Sequence, residues 1–143
     1  MSTTTAWNLG WFNIAVQALV VLAEKDGACP SGAIARELKA HEVFLRRVLA
    51  QLARVQIVSA REGRHGGYCL ARPIQHITLA EVYKAVKSAG VVEEPVADNG
   101  LPLNIQAALG EVGIEAERCL LTVLDHYTIA QIIERAAAFS PEA

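Results

Sequence analysis

Residues 57 to 71 read IVSAR, EGRHG and GYCLA, and they restrict the fold more than any other stretch. Two short β-forming runs flank a glycine-rich centre, so they pair as an antiparallel hairpin with a basic tip. A helix is read just upstream of it. Over about 42–55, Leu45, Val48, Leu49 and Leu52 recur at helical spacing and form one buried stripe. The opposite face carries Val43, Arg47, Ala50 and Arg54, flanked by Arg46 and Gln51.

Further helices precede and follow this pair. Residues 11 to 25 are apolar nearly all round, which predicts a helix central to the core, ended by Asp26-Gly27. Residues 30 to 40 open with Pro30-Ser31, suited to a helix N-terminus, and place Ile34 and Leu38 at i, i+4. After the hairpin, ITLAEVYKAVKSAG (77 to 90) predicts a fourth helix, with Thr78 and Glu81 as a capping box. Residues 91 to 103 are polar, carry two prolines and a glycine, and read as a linker.

Beyond it a long helix is expected from about 104 to 125, restarted at Thr128. Ile105, Leu109, Val112, Ala116, Cys119 and Val123 alternate at spacings of 4 and 3, a short heptad seam. Leu120, Leu121 and Leu124 form a second apolar strip beside it. Two apolar faces need two partners: one the chain's own core, the other a second copy of the chain. The plainer alternative is a long helix lying within a monomeric core.

Charge divides along the same line. The net charge of −2 combines 11 Lys and Arg against 6 Asp and Glu in residues 1–90 with 2 against 9 in residues 91–143. A basic first part joined to an acidic second part suggests a polyanion-binding surface on one half. The longest apolar run, 11 to 23, is too short to span a bilayer and contains Asn13 and Gln17. The opening MSTTTAWN lacks the basic residues of a secretory signal. Cysteines stand far apart at 29, 69 and 119, so no disulfide framework is expected and a cytoplasmic setting is the default.

Two helices joined by a short turn and followed by a basic hairpin describe a winged helix-turn-helix. The expected fold is mainly α with a small β-hairpin wing, plus a long C-terminal dimerisation helix. Residues 1–90 are expected to form the DNA-binding domain and 104–143 the dimerisation and C-terminal helices. In this arrangement the second helix presents His41, Glu42, Val43, Arg46 and Arg47 to the major groove. Arg61, Arg64 and His65 at the wing tip reach phosphates or a neighbouring minor groove. Gly63, Gly66 and Gly67 permit the turn and a close approach to the duplex. Arg54 and Arg36 read as solvated or phosphate-facing.

FLRRVLAQL, GRHGGYCLARP, ITLAEVYKAV and LDHYTIAQII occur in that order along the chain. Through them the chain resembles the Rrf-two family of bacterial transcription regulators, the group containing IscR, NsrR and CymR. The resemblance covers nearly the whole chain. It implies homodimers of winged-helix domains, paired through their long helices, on palindromic promoter DNA. Two departures stand out. Gln56 occupies a position where the family often has glycine. The cluster-binding members carry three closely spaced cysteines before the dimerisation helix, whereas residues 89 to 118 here contain none. Thiolates are the usual cluster ligands, so no iron–sulphur cofactor is expected.

Other chemistries find little support. The glycine-rich tip lacks the Lys-Ser/Thr ending of a phosphate loop, and no helix starts after it. His41, His65, His76 and His126 share no metal-ligand spacing, and no local signature marks a catalytic nucleophile. Cys29 precedes a helix start, where the dipole favours a thiolate. Cys69 is expected to face outward if Tyr68 and Leu70 face inward. Cys119, on the seam, is the candidate thiol switch, although free cysteine is most often a small buried hydrophobe. The expected function is a dimeric DNA-binding regulator, read as a repressor, with its effector unidentified. The alternative is a winged-helix module that docks a partner enzyme rather than DNA.

Overall fold

The computed structural model describes residues 10–87 and 100–139. Among the described residues, six helices and one hairpin follow in the order α1 (Gly10–Glu24), α2 (Ser31–Leu38), α3 (Glu42–Arg54), β1 (Val58–Arg61), β2 (Gly67–Leu70), α4 (Leu79–Lys87), α5 (Leu103–Leu124) and α6 (Ile129–Ala138). A 3-10 turn, Ile74–His76, joins β2 to α4. Among the described residues no helix is long and apolar enough to cross a membrane.

One core holds the first part together. Leu45, Val48, Leu49 and Leu52, the stripe expected on α3, are fully buried. They meet Ala15, Ala18, Leu19 and Leu22 of α1, Ile34 of α2, and Val82 and Val86 of α4. Burying each such aliphatic side chain contributes about 1.5–3 kcal/mol. α1 is central, as its apolar circumference predicts: it packs on α2, α3, α4 and α6.

Helix ends follow the local chemistry. The Thr78 hydroxyl accepts from the Glu81 amide at 3.1 Å, and the Glu81 carboxylate accepts from the Thr78 amide at 3.0 Å, closing the expected capping box. Thr128 and Gln131 repeat the motif at the start of α6. Both helices of the α2–α3 pair end through a left-handed residue that is not glycine. After α2, Lys39 has φ +53° and the Ala40 amide reaches back to the Ala35 carbonyl at 2.9 Å. After α3, Gln56 has φ +60° and the Ile57 amide reaches the Leu52 carbonyl at 3.0 Å. These are Schellman endings, where glycine is the usual residue. The glycine expected before the first wing strand thus has a physical cause: the position needs a positive φ.

The C-terminal elements return to the same core. Leu124 and Ile129 are buried within it. Thr78 and Thr128 form a backbone bridge, with the Leu79 amide on the Tyr127 carbonyl and the Ile129 amide on the Ile77 carbonyl, both 2.9 Å. Lys87 of α4 also pairs with Glu117 of α5. Leu120 and Leu121 pack against the core, as the second strip required. Most of the expected linker, residues 91–99, lies outside the described residues, as do residues 1–9.

Candidate nucleic-acid interface

The helix-turn-helix presents its polar side as the buried stripe dictates. His41 precedes α3 in an extended conformation with no side-chain cap, and it is exposed together with Glu42, Val43, Arg46 and Arg47. Val43 is 68% exposed, an unusual place for a branched aliphatic side chain. Arg36, Ala50 and Arg54 are exposed too, while Gln51 is half-buried.

The two adjacent arginines are not equivalent. Arg46 Nη2 donates to Glu42 Oε1 at 2.8 Å, an i, i+4 ion pair. Its Nε donates to Ser31 Oγ at 3.2 Å, and Ser31 Oγ donates to the same Glu42 oxygen at 3.3 Å. Arg46 is therefore held in a three-membered ring against the start of α2. Arg47 has no ion pair among the described residues and keeps its charge uncompensated. The Glu42–Arg46 spacing is visible in sequence; Ser31, eleven positions earlier, joins only through the packing of α2 on α3.

The hairpin pairs Val58 with Leu70, Ser59 with Cys69, Ala60 with Tyr68 and Arg61 with Gly67. Its tip exposes Arg61, Glu62, Arg64 and His65, and Gly63 turns the chain at φ +104°. Gly63 and Gly66 serve the expected turn, and Gly67 has a further role inside the fold. A Cβ on Gly67 would stand 2.4 Å from the Cys29 carbonyl, and one on Gly66 would stand 2.4 Å from the Arg61 carbonyl oxygen. Their missing side chains make room for the protein's own backbone. That close approach lets Tyr68 and Cys29 exchange two backbone hydrogen bonds of 2.8 Å. The wing is thereby stitched to Cys29, two residues before the Ser31 that holds Arg46.

The cysteines occupy three unlike settings. Cys29 is buried at the wing bridge. Cys69 is half-buried, its Sγ 3.1 Å from Ser59 Oγ, while Tyr68 and Leu70 on either side pack against the core. Cys119 is exposed on α5. Cysteines at three separate places in the fold, with none between 89 and 118, do not fit an iron–sulphur cluster. Among the described residues no group of three His, Cys, Asp or Glu is arranged to hold a metal.

Along α5 the seam residues Ile105, Leu109, Val112, Ala116, Cys119 and Val123 are all exposed. Leu109 and Val112 keep 57% and 62% of their surface open. They form a continuous row of exposed, mostly aliphatic side chains along one face of α5.

Comparison with known proteins bears on this arrangement. Residues 11–135 match the Rrf2 family of iron-dependent transcriptional regulators. The chain belongs to the Rrf2 family. It is 32% identical to protein aau3 of Rhizobium meliloti over 127 residues, covering 85% of this chain and 81% of that one. Its fold matches that of IscR from T. potens with a TM-score of 0.66 at 21% identity, over 99% of this chain and 97% of the other. CymR, the global cysteine regulator of B. subtilis, matches with a TM-score of 0.60 at 21% identity, over 92% and 96% of the two chains. The protein is a winged-helix, DNA-binding transcriptional regulator of the Rrf2 family.

Proposed function

We propose that this Rrf2 protein is a homodimeric repressor of palindromic promoter DNA that works without an iron–sulphur cluster. The observation that carries the reading is the outer face of α3, where Arg47 is uncompensated and Val43 is exposed beside it. Arginine suits the O6 and N7 acceptors of guanine, and an aliphatic group suits the thymine methyl. Arg46, held by Glu42 and Ser31, is delivered in a set orientation, with His41 at the same helix end. Arg61, Arg64 and His65 serve phosphates or the minor groove from the wing.

In this reading residues 1–90 form the DNA-binding unit, 91–103 the linker and 104–143 the dimerisation and C-terminal helices. The exposed seam of α5 supports pairing with its own copy about a two-fold axis. The donor chemistry of residues 89–118, which lack any thiol, supports a cluster-free regulator. Cys119, exposed on that seam, is the thiol through which oxidation would act on the dimer. A small-molecule effector is the other route to a signal.

Gel shifts on DNA upstream of the protein's own gene, across a salt series, test the reading. Arg47→Ala should cost about 1–3 kcal/mol and relax specificity, as loss of a base-edge contact does. Arg64→Ala should weaken all sequences alike and shallow the salt slope by about one. Parental affinity in both variants, each folded normally, would remove the assignment.

A further inference from the structure

A cleft of about 550 Å³ lies apart from the α5 seam and the wing tip, between the C-terminal end of α3, the turn after β2, and α4. Its volume falls within the range of small-molecule sites, about 300–1,000 Å³. Arg54 lines it from α3, Val55 from the residue just after that helix, Arg72 from the turn, and Glu81, Lys84 and Ala85 from α4.

Charge inside the cleft is unbalanced. Arg72 Nη1 pairs with Glu81 Oε1 at 2.8 Å and also donates to the His76 carbonyl at 3.2 Å. That pair engages the one carboxylate in the lining. Arg54 and Lys84, the other two cations, have no ion pair among the described residues. They come from different helices and contribute two positive charges to one concave surface. Val55, 47% exposed, adds apolar surface to the same walls, and Ala85, though mostly buried, lines their floor. A bare inorganic ion would satisfy the charges and leave that apolar surface wet. An anion with a short carbon body satisfies both.

We propose that this cleft binds a small organic dianion, its carboxylates on Arg54 and Lys84 and its carbon chain against Val55 and Ala85. Arg54 belongs to the outer row of α3, so neutralising it weakens DNA binding; this second half rests on the DNA reading above. The ligand would act as an effector that bridges the recognition helix to α4.

Calorimetry on the full chain without DNA, at fixed ionic strength, tests the site with malonate, succinate and glutarate. The neutral diamide of succinate and inorganic phosphate serve as comparisons. At least one dicarboxylate should bind saturably, one per chain. The diamide should not bind, and phosphate should bind about tenfold or more weakly. Arg54→Gln and Lys84→Gln should each weaken the dicarboxylate by about tenfold or more, the worth of a charge-assisted contact. No saturable binding, or undiminished binding in both variants, overturns the site. Phosphate as tight as the best dicarboxylate overturns its organic class. In gel shifts the dicarboxylate should weaken operator binding by the parent but not by Lys84→Gln; equal inhibition of both overturns the effector role. A chain that binds dicarboxylate but no DNA sinks the DNA reading and leaves the site standing. One that binds DNA but no dicarboxylate does the reverse.

Discussion

Gln56→Gly should stabilise this protein, although it removes a side chain and adds a flexible residue. Gln56 stands at φ +60°, where a β-carbon crowds the following carbonyl at a cost of about 1–2 kcal/mol. Glycine escapes that cost but loses more chain entropy on folding, which offsets roughly 0.5–1 kcal/mol. The Gln56 side chain is exposed and makes no side-chain hydrogen bond among the described residues, so little else is lost. The net gain is about 0.5–1 kcal/mol. For a chain of this length that corresponds to a rise of roughly 2–3 °C in Tm. Urea unfolding at one fixed protein concentration is the assay, because dimerisation would make stability concentration-dependent. The midpoint should rise with an unchanged m-value. Gln56→Ala keeps the β-carbon and should not gain. If the glycine variant is no more stable than the parent, or alanine gains as much, left-handed strain after α3 is not the cause.

Gly67→Ala should be severe, with a loss of about 2–3 kcal/mol or a failure to fold, because its β-carbon would sit 2.4 Å from the Cys29 carbonyl; thermal melts decide this. For Glu81, partial burial pushes the carboxyl up, but hydrogen bonds from the Thr78 amide and Arg72, with the Arg72 charge, outweigh it and hold the group below its ordinary value of 4.5. Its stabilising share is therefore present above that value and is lost as pH falls through the lowered one, so Glu81→Gln should flatten the acid limb of a stability–pH curve. Leu109→Glu together with Val112→Glu should yield monomers in sedimentation equilibrium while circular dichroism stays helical, since both side chains are exposed in the single chain. Diamide should cross-link the parent but not Cys119→Ser on non-reducing gels; if operator binding by Cys119→Ser stays as oxidant-sensitive as the parent's, Cys119 is packing only.

Periodicity alone was enough for the helices and for the hairpin. Leu45, Val48, Leu49 and Leu52 could be buried together only by a helix, and the glycine-rich tip between two β-forming runs could only turn back on itself. The capping box at Thr78 and Glu81 was legible because its partners lie three residues apart. So was the outward row of α3, which follows once the inward stripe is known. What needed the tertiary structure is everything that joins distant residues. Gly67 reads as a turn glycine until Cys29, thirty-eight positions away, is seen to occupy the space of its β-carbon. Arg46 and Arg47 are neighbours of equal charge in sequence, yet the packing of α2 brings Ser31 to one and leaves the other without an ion pair among the described residues. The Arg54–Lys84 cleft has no local signature at all, since its cations come from two helices separated by the wing. Local order follows from interactions between near neighbours, which spacing records. Which charges are neutralised, and which surfaces stay open, depends on how the elements dock, and spacing does not record that.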